Sequence, residues 1–188
     1  KNHSYHTEDS KYKWNNFSEI LKSSNFNFNS INSIVDIGCG GGQILIEAKN
    51  SNLFKNDCQF EGYDINPDAI ELAKKNFTKV SFFNKDFINL DIKNKDMIIA
   101  ADVFEHVQNT YDFLNRLREK GNFFLFNIPL EISFLSMIRK KNVFKHSFNN
   151  VGHLHFYTLR TSILLLENTG FKIVNYKLVN NRLKDLRE

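Results

Sequence analysis

Residues 34–46 read "IVDIGCGGGQILI". An apolar run meets Asp36, four glycines crowd into positions 38–42, and an apolar helical pattern resumes at Ile44. The chain has only 8 glycines, so half of them stand in this one turn. Glycine gathered in this way serves backbone that takes positive φ or comes very close to another group. Three patterns compete for the stretch. A P-loop needs Lys-Ser/Thr after the glycines, and Gln43-Ile44 stand there instead. A dinucleotide fingerprint, G-x-G-x-x-G, is met by Gly38 and Gly40 and broken at Gln43. A strand ending in acid-x-Gly-x-Gly-x-Gly is met at Asp36, Gly38, Gly40 and Gly42.

Outward from the turn, apolar runs alternate with helical patterns. "SIVDIG" (33–38), "CQFEGYDI" (58–65), "KVSFFNKD" (79–86), "KDMIIAAD" (95–102) and "GNFFLFNIP" (121–129) read as buried strands, and "FKIVNYKLV" (171–179) as a last one. Helices are expected at "QILIEAKNSN", "NPDAIELAKKNF", "NTYDFLNRLREK" and "TLRTSILLLENTG". Asn66 suits an N-cap, Pro67 the first helical position and Asp68 the positive end of the helix dipole. Strands alternating with helices predict an α/β fold. The expectation is a Rossmann-like, doubly wound, mostly parallel sheet of six or seven strands with helices on both faces. Ligands of such sheets bind at the carboxyl ends of the strands. The glycine turn, Asp64, Asp86 and Asp102 all fall at such ends, on one cleft edge.

The chain's 188 residues suit a single domain, 1–188, and 41% hydrophobic residues with 19 Phe supply an aromatic-rich core. A net charge of +4 and a pI near 9.0 suit an anionic small molecule and leave an RNA substrate open, but without the dense basic patch of a nucleic-acid binder, a nucleic-acid partner is not expected. Two cysteines, Cys39 and Cys58, make neither a disulfide framework nor a metal-site spacing. No apolar run reaches membrane-spanning length and no signal peptide is visible, so the expected location is the cytoplasm. The sequence sets no oligomeric state.

With these residues in hand, the chain resembles the class I S-adenosylmethionine-dependent methyltransferases over roughly residues 31–175. "VDIGCGGG" looks like their first motif, "GYDINPDAIELAKKN" their second, "FFNKDF" their third and "DMIIAADVFEHV" their fourth. The resemblance implies S-adenosyl-L-methionine as cofactor and S-adenosyl-L-homocysteine as product. It implies a cofactor site of Asp36, Gly38, Cys39, Gly40, Gly42, Asp64, Ile65, Asp86, Phe87 and Ala101. Asp64 would bond the ribose hydroxyls and Asp86 would meet the adenine amino group beside Phe87. The residues agree: a glycine turn lets an amino-acid tail lie along the backbone, and one carboxylate accepts hydrogen bonds from both ribose hydroxyls. Competing roles are a helix cap for Asp64 and a turn residue for Asp86.

A second constellation follows the fourth strand. "DVFEH" places Asp102, Glu105 and His106 on one face if the stretch is helical, and "GHLHFYT" adds His153 and His155 far along the chain. Carboxylates beside imidazoles suit a divalent metal or acid–base work. The arrangement resembles the ubiquinone-pathway O-methyltransferases and the small-RNA 2′-O-methyltransferases, whose E-x-x-E-H is here Asp102-Val-Phe-Glu105-His106. That resemblance implies a metal set of Asp102, Glu105, His106 and His153. The catalytic candidates are His106, His153 and Glu105. His155 faces the other way if its segment is extended.

Residues 1–30 read as a lead-in and lid helix, with Trp14, Phe17, Ile20 and Leu21 at core spacing and Tyr5, His6, Tyr12 or Trp14 near the site. Residues 130–157 read as an acceptor-side insertion, in which Arg139, Lys140, Lys141, Lys145 and His146 would neutralise an acidic group. The expected activity is methyl transfer to a small-molecule acceptor, an oxygen on a phosphorylated or nucleotide- or sugar-linked metabolite such as a surface-polysaccharide precursor. The alternatives are an RNA 2′-O-methyltransferase-like enzyme and a non-catalytic cofactor-binding partner of another methyltransferase.

Overall fold

Ile34 and Val35 are both wholly buried although they point to opposite faces of their strand, so both faces of the sheet are covered. In the computed structural model, which describes residues 7–92, 94–132 and 143–179, β1 (Ser33–Ile37) lies at the centre of a five-stranded sheet. Its companions are β2 (Gln59–Asp64), β3 (Ser81–Asn84), β4 (Lys95–Ala101) and β5 (Gly121–Asn127). All pairings are parallel and the order is β3-β2-β1-β4-β5. The order reverses between β1 and β4, which opens a crevice at their carboxyl ends.

Helix α1 (Thr7–Ser23), α2 (Gln43–Asn50) and α3 (Pro67–Asn76) pack on one face; α4 (Thr110–Arg118) and α6 (Leu159–Asn168) pack on the other. The strands divide their side chains between the two cores. Ile34, Phe60, Met97 and Ile99 meet Trp14, Leu45, Ile70 and Ala73, whereas Val35, Ile98 and Ala100 meet Leu114, Leu117 and Leu165. Asn66 caps α3 as expected, accepting from the N–H groups of Asp68 and Ala69 with Pro67 behind it. A capping box of Thr158 and Thr161 starts α6. A short turn of helix, α5 (Val143–His146), runs into a wider turn over Ser147–Val151.

The sheet has five strands among the described residues, not six or seven. Residues 171–179 carry a strand-like pattern but pair with no strand. Side chains hold this segment instead. Phe171 packs edge-on to Phe124 and Phe126. Asn175 donates to Ser23 at the end of α1 and to Ser24 just beyond it, and Lys177 reaches Asn16 and Glu19. These contacts lie at the surface: Asn175 and Lys177 are exposed, and so are Val174, Tyr176 and Leu178. No described helix is long and apolar enough to cross a membrane. Tyr5, His6, Arg139, Lys140 and Lys141 lie outside the described residues, as does the side chain of His146.

Candidate active site at the strand ends

The glycine turn between β1 and α2 is built from left-handed backbone: Gly38, Gly40 and Gly42 have φ of 65°, 52° and 81°. Other residues resist that region, so the glycines are a backbone requirement. Gly42 meets a second demand, because a Cβ there would come within 2.4 Å of the Phe82 ring. The turn presents its amides to the end of β2. Gly40 N–H donates to Asp64 Oδ2 at 2.8 Å, and Asn66 N–H donates to Asp64 Oδ1 at 2.8 Å. Each carboxylate oxygen thus has one donor and keeps a second lone pair.

Beside it, Ile65 is 77% exposed, an apolar surface at the cleft. Asp86 is exposed at the end of β3 and caps the turn Phe87–Asn89 by accepting from Ile88 N–H and the Asn89 amide. Phe87 is buried against Tyr63 with ring centroids 4.9 Å apart. Cys39 N–H donates to Tyr63 O, while its thiol lies in the core, where burial pushes the thiol pKa far up. Asp36 is almost wholly buried and its Oδ2 has no partner. Burial pushes its carboxyl up to about 8, with Lys13 opposing and Asp64 adding to the rise. Ala101, half-buried, closes β4.

The other half of the cleft starts at Asp102. Its φ of 55° is left-handed, so the chain turns sharply before the single helical turn Phe104–His106. Asp102 therefore does not share a helix face with Glu105 and His106. Its carboxylate is taken by two residues from far along the chain: Lys13 Nζ at 2.6 Å and Asn127 Nδ2 at 2.5 Å. Lys13 is itself buried, so this ion pair ties α1 to the end of β4.

Three of the four candidate metal ligands do come together. Glu105, His106 and His153 each offer a ligand atom, all within 4.8 Å of one another. Glu105 is 0% exposed, and neither carboxylate oxygen has a hydrogen-bond partner. Burial pushes its carboxyl up to about 8; its own backbone N–H opposes the rise, Asp102 adds to it, Lys13 opposes and Glu131 adds. His106 Nδ1 lies 3.0 Å from Gly152 O, and the two histidine rings stand edge to face with centroids 4.8 Å apart. The backbone fixes this meeting: Leu154 and His155 both donate their N–H to Glu105 O, at 2.8 and 3.2 Å. His155 turns away and its Nε2 meets Val107 O.

Sequence reading missed four residues here. Glu131 meets both His153 and Ser147. Asn127 and Lys13 hold Asp102. Lys13 carried a signal, since a lysine beside Trp14 and one turn from Phe17 falls on the apolar face of α1. Trp14 lies in the core against Phe54, and Tyr12 is half-buried. Of the basic wall, Lys145 is described and exposed; Phe148, Val151 and Leu154, later in the same stretch of chain, are exposed too.

Comparison with known proteins places these features in context. A family model described as a methyltransferase domain matches residues 11–176. A ubiquinone biosynthesis O-methyltransferase from Rickettsia bellii is 27% identical over 179 residues, spanning 88% of this chain and 73% of that protein. Magnesium protoporphyrin IX methyltransferase from Synechocystis, solved with bound SAH, superposes with a TM-score of 0.67 at 16% identity, over 92% of this chain and 78% of that one. A SAM-dependent methyltransferase from Archaeoglobus fulgidus gives a TM-score of 0.64 at 21% identity, over 88% and 69%.

Proposed function

Since the chain belongs to the methyltransferase-domain family and is a class I S-adenosylmethionine-dependent methyltransferase, we propose that it methylates an oxygen of a small-molecule acceptor held between Glu105, His106 and His153. The observation that supports this most is Glu105: fully buried, beside two imidazoles, with both oxygens unpartnered. A buried polar group without a partner is costly, so such a group marks a place kept for a ligand.

On the cofactor side, the glycine turn leaves room along the backbone for an amino-acid tail. Asp64, already steadied by Gly40 and Asn66, accepts the two ribose hydroxyls on its remaining lone pairs. Ile65 and Asp86 would flank the base. On the acceptor side, His106 or His153 takes the hydroxyl proton as the oxygen–carbon bond forms and the carbon–sulfur pair leaves with sulfur. General-base help of this kind contributes roughly 10²–10⁴-fold, and the rest of the rate comes from holding the two reactants in line.

The Glu105, His106 and His153 set also fits a divalent metal, because an orphaned carboxylate beside two imidazoles is a mixed oxygen–nitrogen donor set. Bound there, such a cation would act as a Lewis acid on the acceptor oxygen. The exposed Lys145 supports an acidic group on the acceptor, and the exposed Phe148, Val151 and Leu154 of the same stretch of chain support a hydrophobic portion. The test is transfer of labelled methyl from S-adenosylmethionine to a panel of hydroxylated small molecules, with and without magnesium or manganese. Label on an acceptor oxygen, lost in His106→Ala, is the expected result. Label on nitrogen, unaffected by His106→Ala, would overturn the reading.

A further inference from the structure

Glu131 belongs to no motif, yet it is the hinge of a network behind His153. Its Oε1 accepts from Ser147 Oγ at 2.5 Å, and its Oε2 lies 2.9 Å from His153 Nδ1. Both partners are buried, with 5% of Ser147 and 8% of His153 exposed. Backbone closes the loop, since Gly152 and His153 donate their N–H groups to Ser147 O. A carboxylate accepts and does not donate, so the proton of a neutral His153 belongs on Nδ1 and the lone pair on Nε2. His106 reaches the same state through a different acceptor, the carbonyl of Gly152.

We propose that Glu131 is a positioning residue that fixes His153 in the Nδ1–H tautomer, so that its Nε2 lone pair serves the group with Glu105 and His106. Ser147 acts one step further out by holding Oε1. A histidine without such a partner populates both tautomers and rotates more freely. Carboxylates behind ligating histidines work in this way in metal sites generally, orienting the ring and raising its basicity. The role given to the lone pair rests on the function proposed above; the tautomer does not.

The test reads the imidazole nitrogens of the full chain by long-range ¹H–¹⁵N NMR and, separately, Mn²⁺ affinity by titration. Wild type is expected to carry the His153 proton on Nδ1. Glu131→Ala is expected to give mixed tautomers and to lower Mn²⁺ affinity about 10–100-fold. Glu131→Gln, whose amide oxygen still accepts from Nδ1–H, is expected to keep the tautomer and most of the affinity. Ser147→Ala gives a milder form of the same change and serves if Glu131→Ala does not fold. A wild-type His153 with its proton on Nε2, or a folded Glu131→Ala that keeps the tautomer, would overturn the proposal whether or not Mn²⁺ binds. Failure of the methyl-transfer reading shows separately, as a wild type that binds no S-adenosylhomocysteine while the tautomer stands as stated.

Discussion

Asp64 and Glu105 are both carboxylates placed at the carboxyl ends of parallel strands, in opposite circumstances. Asp64 is half-buried, and each oxygen already accepts a backbone N–H. Glu105 is fully buried, neither oxygen accepts anything, and burial raises its carboxyl to about 8. The first group keeps its geometry before any ligand arrives, so its half of the cleft is preformed. The second costs folding energy, because a buried polar group left unpaired costs roughly 1–3 kcal/mol. That expense is tolerated where a partner is awaited. The two halves also differ in construction. The Asp64 half rests on backbone N–H groups of two neighbouring turns, after β1 and after β2, whereas the Glu105 half is side chains drawn from α1, the turn after β4, β5 and the turn near residue 150.

Substitutions should separate the halves by what they damage. Gly40→Val is expected to do most, abolishing calorimetric binding of S-adenosylhomocysteine. A β-branched residue resists φ of 52° and would fill the space along the turn. His106→Ala should lower turnover roughly 10²–10⁴-fold while cofactor affinity stays within a few fold; an affinity loss alone would move His106 to the other half. Asp64→Ala should weaken cofactor affinity about 10–100-fold, the worth of one to two charged hydrogen bonds.

Asp36 offers the smallest effect and the sharpest challenge, because it lies in the preformed half yet is buried like Glu105. Its folded pKa, about 8, stands above its ordinary 3.8. The folded state therefore holds a proton that the unfolded state has lost, and this contribution to stability falls as pH rises from near 3.8 to about 8. Asp36→Asn should gain on wild type in thermal unfolding between pH 5.5 and 8, by on the order of 1–3 kcal/mol. A gap that does not widen with pH would show that Asp36 is ionised in the folded protein.

What the sequence disclosed follows the same division. The glycine turn, the Asn66 cap and each of the five paired strands are local patterns, legible within a dozen residues. Glu105, His106 and His153 were legible as types, but their meeting depends on Glu105 O accepting from Leu154 and His155, about 50 residues on. Asp102 misled because left-handed backbone precedes the helical turn, and a φ of 55° at an aspartate leaves little trace in sequence. The segment 171–179 misled because only Phe171 and Ile173 of its alternation reach the core; beyond them the chain stays at the surface, where Asn175 and Lys177 bond to α1. Glu131 and Lys13 act through contacts 22 and 89 residues apart, which no periodicity records.

Titration with S-adenosylhomocysteine, run in parallel on wild type, Gly40→Val and His106→Ala, probes the two-part cleft most directly. One site per chain is expected in wild type, no heat in Gly40→Val and near-wild-type heat in His106→Ala. Silence from the wild type, or equal losses in both variants, would contradict a cofactor held by the glycine turn and Asp64 apart from the histidines.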